Sequence, residues 1–556
     1  MALLLGVDTG GTYTDAILIE DEERVVASAK ALTTKHDLAI GVGAAIDAVM
    51  AERGADASEI AMVSLSTTLA TNALVEGQGG RVCLIFIGFS KRDLSRQGLE
   101  EALSGDPVIF LSGGHNHTGG EVNPLDAASL REQLRQHGSS VSGFAVASQF
   151  ATRNPAHELH ARDIIREVTG KPVSCSHDLS AKLNGPKRAM TALLNARLIG
   201  MIDHLIGAVE GLLAANKIEA PFMVVRGDGA LISADQARIS PIETILSGPA
   251  ASIVGARWLT NEKDAIVSDI GGTTTDVAVL RDGRPIIDPQ GARVGAFRTM
   301  VEAVAMRTTG LGGDSEVHMS KDGLQAALTL GPRRVMPVSL LAMNWPEAVH
   351  GALDAQLARE IIGEFDGRFV VAIHRTDLSY EGMSDRETTV LTRIGDQAQP
   401  MGDVLQNRMD HGTLNTLVKR GLVLVCGLTA SDASHVLGNL DAWDKDAAEK
   451  ALRLFSRQRT GNGNRLSATA EGLAKLIVDQ LTEQSVEALL ETAFSEDGFD
   501  FGISPKELAR HILVKQGMAH HRGLVAIDVG LNLPLIGLGA SAHNYYDAVG
   551  KRLSTK

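Results

Sequence analysis

Apolar runs separated by glycine-marked turns predict an α/β protein along most of the chain. Residues 1–20 read as a hairpin, and 24–34 (RVVASAKALTT) as a third strand beside it. Residues 37–53 carry apolar positions at helical spacing and end at Gly54. The stretch 62–89 reads as a strand, a polar turn opening a helix, and a buried strand. A helix over 124–137 is expected to start at Asn123 with Pro124 in its first turn. GFAVAS (143–148) is a buried strand, and 154–170 a helix opened by Asn154-Pro155 and closed by Gly170. A long helical stretch covers 186–216. PFMVVRGDG then reads as a strand ending in the turn Arg226–Gly229, and 241–259 as a helix interrupted at Gly248-Pro249. Residues 346–500 differ in texture, with helical stretches at 352–364, 446–457 and 468–494 and two strand-like runs, RFVVAIH and LVLVCGL. The C-terminal stretch returns to strand, turn and helix.

One motif inside this pattern occurs twice. VDTGGTYTDAIL presents Asp8, Gly10, Gly11, Thr12, Thr14 and Asp15; SDIGGTTTDVAVL presents Asp269, Gly271, Gly272, Thr273, Thr275 and Asp276. The offset is constant at 261 residues, and each copy lies between two apolar runs. Glycines let a backbone approach an anion closely, and successive N–H groups in such a turn form a nest for phosphate. Threonine hydroxyls add donors, and the leading aspartate stands where it can hold a metal ion or orient a water. A lone Gly-Gly-Thr is an ordinary hairpin turn. Two copies, each opening a β-rich lobe, point to two phosphate loops facing one nucleotide.

Length and composition narrow the setting. With 556 residues the chain exceeds one ordinary core, so two or more domains are expected. A formal charge of −14 argues against a nucleic-acid partner. Cys83, Cys175 and Cys426 make neither a C-x-x-C pair nor a disulfide framework, which suits a reducing cytosol. No signal peptide is read at the start, and no apolar run long enough to cross a bilayer, so a cytoplasmic protein is expected.

Eight segments in order resemble the hydantoinase A/oxoprolinase family, within the superfamily of actin, sugar kinases and heat-shock chaperones. They are VDTGGTYTDAIL (7–18), STTLATNALVE (66–76), RNPAHELHARDIIRE (153–167), TALLNARL (191–198), TILSGPAASIVGA (244–256), SDIGGTTTDVAVL (268–280), TTGLGGDSEV (308–317) and GLTASDASHVLG (427–438). Leu65-Ser66 stands where the family usually has His-Gly, and Gly312-Gly313-Asp314-Ser315 where it has Gly-Gly-Gly-Ser. The resemblance implies two related actin-like (ribonuclease H-like) lobes clamping ATP, with a largely helical insertion. The boundaries it suggests are 1–185 for the first lobe, 186–345 for the second, 346–500 for the insertion and 501–556 for a return to the second lobe. It implies an ATP- and Mg²⁺-dependent hydrolase that phosphorylates the carbonyl of a small cyclic amide before ring opening. The alternatives are the ATP-handling subunit of a ketone carboxylase, a small-molecule kinase, and an ATP-dependent conformational switch. A second, B-type subunit and an oligomeric assembly are also implied.

Candidate residues follow. Asp8 and Asp269 are candidates for catalysis and for Mg²⁺, held through waters because that ion dehydrates reluctantly; Asx-turn capping is the alternative. Gly10, Gly11, Thr12, Gly271, Gly272, Thr273 and Thr274 are the phosphate-loop candidates. Gly312, Gly313 and Asp314 can wrap the nucleotide or form a plain loop. Thr67, Thr68 and Asn72, at a polar turn entering a helix, can bind a substrate anion or carbonyl, or simply cap that helix. His115 and His117, on a glycine-rich loop followed by Glu121, form a metal site or a catalytic proton-transfer pair, with Glu121 a candidate substrate contact, or belong to a surface loop. The other histidines, His318, His374, His435, His520 and His521, are expected to be surface or core groups, and the cysteines buried and inert.

Overall fold

The computed structural model describes residues 2–10, 13–34, 38–54, 56–75, 77–320, 327–373, 383–459, 463–539 and 542–555. Gly11, Thr12 and His374 lie outside the described residues. Two compact units emerge, one from residues 1–263 and 280–305, the other from 264–279 and 306–556.

The first unit holds two sheets. Six strands run in the order Leu231–Ser233, Phe222–Val225, Ile60–Thr67, Leu3–Thr9, Tyr13–Glu20, Arg24–Leu32. The last three form an antiparallel meander, while Leu3–Thr9, Ile60–Thr67 and Phe222–Val225 pair in parallel. Leu3, Leu5 and Val7 alternate into the core with half-buried residues between them, the period of a strand with one face packed. The other sheet is four-stranded and all-parallel, in the order Val108–Leu111, Val82–Ile87, Gly143–Ser148, Val173–Cys175. Every residue of Val82–Ile87 and Gly143–Ser148 is buried. The reason is cover on both faces, which makes parallel strands read as unbroken apolar runs. Phe86 and Ala145 pack on the long helix Gly185–Ala215, while Ile85 and Val146 pack under Ala127–His137 and Ala156–Thr169.

The helix Gly185–Ala215 joins these layers. Ala189, Leu193 and Leu194 belong to the core under the parallel sheet, and Leu205, Val209 and Leu213 to the core under the six-stranded sheet. By length and composition it is also long and apolar enough to cross a membrane, which corrects the expectation that no such run exists. Its apolar side chains are shared between two protein cores instead. Its place inside the first unit also moves the lobe boundary: contacts thin out near residue 263, well past 185.

The second unit repeats the arrangement of the first sheet. Ala265–Ile270 lies between Thr275–Arg281 and Leu535–Leu538; it runs parallel to the latter, and Thr275–Arg281 pairs antiparallel with Met306–Thr309. A further sheet runs Met336–Pro337, Val423–Gly427, Phe369–Ala372, Gln399–Pro400. Phe369 and Val371 face one core and Val370 and Ala372 another, so both faces are covered. Residues 346–500 are therefore built into the second unit. Leu353, Phe369, Leu452 and Leu473 share one core with Ile270, Leu311, Val338 and Tyr545.

Helix boundaries differ from expectation where capping decides them. The helix expected at 124–137 is Ala127–His137, because Asp126 rather than Asn123 accepts the Ser129 N–H. The helix expected at 352–364 is Pro346–Leu357, with Pro346 in its first turn. The interruption expected at Gly248-Pro249 is a helix start: Ser247–Thr260 begins after Leu246, which has φ +61°, and Pro249 sits where a missing N–H costs nothing.

Close backbone packing at one glycine makes a test of this description. A Cβ on Gly312 would lie 2.5 Å from Gly271 O and 2.6 Å from the Gly272 carbonyl, whereas one on Gly351, inside a helix, would meet nothing within 4 Å. Gly312→Ala should cost about 1–3 kcal/mol in denaturant unfolding. Gly351→Ala should be neutral or stabilise by about 0.4–1 kcal/mol.

Candidate functional site

The two loops close in the same way. Gly10 N–H donates to Tyr13 O at 3.0 Å, and its counterpart Gly271 N–H donates to Thr274 O at 2.9 Å. Each turn ends a strand whose last residues include the leading aspartate, so Asp8 and Asp269 are set by sheet register rather than by loop conformation.

Around Asp8, the adjacent parallel strand supplies a partner. Asp8 pairs in register with Ser66, and the Ser66 hydroxyl donates to Asp8 Oδ1 at 2.5 Å. Burial raises the Asp8 pKa above the ordinary carboxylate range; the Ser66 hydrogen bond opposes this and the Asp15 charge adds to it. The start of the helix Ser247–Thr260 closes one side: a Cβ on Gly248 would lie 3.5 Å from Thr68 and 3.9 Å from Asp8 Oδ1. Ser247 Oγ accepts from Thr67 N at 3.2 Å and donates to Thr67 O at 2.9 Å, and Leu246 N donates to Thr71 Oγ1. Thr67 is thus engaged in packing, and its own hydroxyl accepts from Leu69 N. Thr68 N–H and Oγ1–H both donate to Thr9 O, and Asn72 Nδ2 donates to Thr68 Oγ1 at 3.3 Å. The polar turn 67–72 is thereby tied to the end of the strand that carries Asp8.

Asp269 has a different surrounding. Burial raises its pKa, and the neighbouring Asp276 charge raises it further. Burial likewise raises Asp276, against hydrogen bonds from Thr308 and Thr274, and its Oδ1 is buried without a partner. The corresponding Asp15 in the first unit pairs instead with a half-exposed Lys30 at 3.1 Å. The turn 312–314 packs directly on the second loop. Gly313 N–H donates to Gly271 O, Asp314 N–H to Gly272 O, and Thr275 Oγ1 to Leu311 O. Asp314 is held by Ser431 Oγ and Arg334, both at 3.2 Å, while burial raises its pKa against them. Gly539, with φ +106°, approaches Asp269 so closely that a Cβ there would be 3.0 Å from Oδ1. Thr273 is exposed on the loop.

The histidine loop departs from the sequence reading. His115 and His117 do not form a pair: His117 is exposed, whereas His115 is 2 % exposed and packs against His157, the rings tilted by 40° with centroids 4.3 Å apart. Burial and the neighbouring His157 lower the His115 pKa, with Glu121 opposing. His157 Nδ1 accepts from Gly114 N–H at 2.9 Å, and its Nε2 meets Glu121 Oε1 at 2.8 Å. The group brought together is therefore His115, His157 and Glu121. The sequence signal for His157 is its place in the segment RNPAHELHARDIIRE, where it follows Asn154-Pro155.

The next residue, Glu158, is also functional in a structural sense. It is fully buried and accepts from Ser148 N, Ser176 Oγ, His177 N and His177 Nδ1 at 2.6–3.0 Å. Its carboxylate, Cys175 Sγ and a His177 nitrogen converge within 4.8 Å. Burial pushes the Cys175 thiol well up and the Glu158 oxygens are already engaged, so this cluster ties strand ends together. Cys83 and Cys426 are buried too, the first pushed up to about 12 by burial. His435 is a core group, stacked on Trp443 and accepting from Ala442 N and Trp443 N.

Comparison with known proteins agrees with the loops. Residues 4–169 match the hydantoinase/oxoprolinase N-terminal region, and residues 188–342 match hydantoinase/oxoprolinase. The chain is 30% identical over 371 residues to the acetophenone carboxylase gamma subunit of Aromatoleum aromaticum, covering 59% of this chain and 49% of that protein. It is 26% identical over 353 residues to the caprolactamase subunit alpha of Pseudomonas jessenii, covering 59% and 50%. The chain thus spans about half the length of these curated relatives. Its fold superposes on the crystal structure of ATP-dependent caprolactamase from Pseudomonas jessenii with a TM-score of 0.64 at 20% identity, covering 100% of this chain and 68% of that one. A repeated glycine turn closing beside a half-buried aspartate in each unit, and matches covering most of both turns' surroundings, have one common explanation: the chain belongs to the hydantoinase/oxoprolinase family.

Proposed function

We propose that this chain handles ATP for an enzyme that phosphorylates the carbonyl oxygen of a small cyclic amide of the hydantoin or oxoproline type before the ring is opened. The observation that carries the reading is the recurrence, in each unit, of one glycine turn beside a half-buried aspartate whose pKa desolvation raises. An amide carbonyl is a poor electrophile. Transfer of the γ-phosphoryl group to its oxygen gives an imidate phosphate; water adds to its carbon, the ring nitrogen takes a proton and leaves as the amine, and the acyl phosphate that remains is hydrolysed to carboxylate and inorganic phosphate. Catalysis of such a transfer is positioning and charge neutralisation. Backbone N–H groups and threonine hydroxyls of the loops supply the donors, and the 312–314 turn orders the second loop.

Asp8 and Asp269 fit a divalent cation. Burial disfavours their ionised forms, and the unpartnered Asp276 Oδ1 beside Asp269 adds a further carboxylate oxygen with nothing to offset it. Mg²⁺ would supply that positive charge and withdraw charge from the phosphates. Thr68 and Asn72, tied to the end of the strand that carries Asp8, are the polar groups that would receive a substrate carbonyl. A second subunit is part of this proposal, because the relatives are named as subunits of larger enzymes.

A second reading has its own support. The acetophenone carboxylase subunit is 30% identical, so the activated carbonyl can be a ketone, with a carboxylating species in place of water. A panel of lactams, imides and ketones assayed for stimulated ATP hydrolysis, with and without bicarbonate, separates the two. Stimulation by lactams without bicarbonate supports the first reading, and stimulation by ketones with bicarbonate supports the second.

Asp8→Ala and Asp269→Ala should each lower ATP turnover by ~10²-fold or more, as expected for groups that neutralise phosphoryl charge, with unchanged circular dichroism. Wild-type turnover in either variant would refute a paired role for the loops. Activity that needs ionised Asp8 is present above its pKa and lost as pH falls through it. Since burial raises that pKa and Ser66 opposes the rise, Ser66→Ala should move the acid limb of kcat/KM to higher pH.

A further inference from the structure

The four-stranded parallel sheet of the first unit ends in a group of polar residues separate from the glycine turns at Asp8 and Asp269. Its spatial order, numbered along the chain, is second, first, third, fourth. The connections leaving the first strand, Val82–Ile87, and leaving the third, Gly143–Ser148, therefore diverge at the seam between those two strands. In open α/β sheets ligands bind at such a seam, outside the carboxyl ends of the strands.

The carboxyl ends here are drawn together by backbone. Gly88, after the first strand, donates its N–H to Leu111 O at 2.9 Å; Gln149, after the third, donates to Ile87 O at 3.1 Å; His115 N–H donates to Gln149 O at 3.2 Å. Gly88, Gly113 and Gly114 have φ of +77°, +147° and +96°, and a Cβ on Gly88 would lie 2.8 Å from Gly113 O. The loop after the second strand thus crosses the seam as bare backbone and sets His115 and Glu121 over it, their backbones bridged to each other.

The hydrogen bonds define what this edge offers. Gly114 N–H donates to His157 Nδ1, so that nitrogen carries no proton. The ring's proton is on Nε2, which donates to Glu121 Oε1. Glu121 is held as an acceptor by a neutral imidazole, and its side chain is 55% exposed. Behind it, His115 Nδ1 is buried without a partner, a group that ordinarily finds one. An anion would meet the Glu121 charge. A neutral molecule with an N–H donor would not, and that donor matches the carboxylate.

We propose that this sheet edge is a binding site for a neutral amide-bearing small molecule, with Glu121 accepting its N–H and His157 positioning Glu121. The choice of an amide rests on the function proposed above, whereas the site itself rests on the strand ends.

The test uses the full chain without nucleotide, so its outcome is independent of the phosphate loops. 2-Pyrrolidinone is titrated by calorimetry, with succinate as the anionic comparator, against wild type, Glu121→Gln and His117→Ala. His157 ring nitrogens are followed by ¹⁵N NMR. The expected result is binding to wild type and His117→Ala, at least tenfold weaker binding to Glu121→Gln, weaker binding of succinate, and a shift of the His157 Nε2 signal on addition of the lactam. No binding to wild type, equal binding to Glu121→Gln, equal binding of succinate, or an unmoved His157 signal would each overturn the proposal. Loss of ATP turnover in Asp8→Ala with lactam binding intact would separate this site from the loops.

Discussion

The hydrogen bond from the first glycine of each loop to the carbonyl three residues on is the contact on which the candidate site depends. It closes the turn directly after the strand, so the preceding aspartate stays in sheet register and half-buried at the strand end. A side chain at the close-packed positions would collide: Gly272 with Asp314, and Gly312 with the Gly271 carbonyl. Glycine is required there for space, and the carboxylates beside it are held where burial alone would favour their neutral form.

The two units solve the problem of supporting that turn differently. In the first, Ser66 on a parallel strand donates to Asp8, and the start of the helix at Ser247 is pinned to Thr67. In the second, a glycine turn at 312–314 stacks on the loop and is braced by Ser431 and Arg334, while Gly539 approaches Asp269 from the far end of the chain. Duplication of the turn has therefore been followed by divergence of its surroundings. Asp15 is half-exposed and paired with Lys30, whereas Asp276 is buried with an unpartnered oxygen. The position Ser66, where the chain departs from the pattern usual in its family, is the one that now contacts Asp8.

The second unit takes residues 346–500 into its own cores. Residues 346–500 are more helical and more polar in their linkers than what precedes them. Yet Phe369 and Val370 send alternate side chains into two cores that also hold Val338, Leu353, Val390 and Leu452. A strand of four apolar residues covered on both faces can only exist inside a core, and that core is the second unit's own.

The repeated motif, the alternation of Leu3–Thr9, the unbroken apolar strands Val82–Ile87 and Gly143–Ser148 and the long helix from Gly185 were all legible, because they rest on local period and local turn chemistry. Family membership was legible for the same reason, through short segments in order. What local pattern could not supply was any contact made by residues far apart in the chain. Asn123 and Asp126 are both good caps, and only the chain's path selected Asp126. His115 and His117 look like a pair because alternate residues in an extended loop share a side, but the loop turns at Asn116 and Gly119, and His115 packs against His157 of a later helix. Ser66 against Asp8, Ser431 against Asp314 and Gly539 against Asp269 are likewise separated by 58 residues or more. The sequence determined the strands and the repeated glycine turns; the tertiary structure decided which distant side chains meet them, since burial and hydrogen bonding of a carboxylate or an imidazole depend on neighbours that no local period encodes.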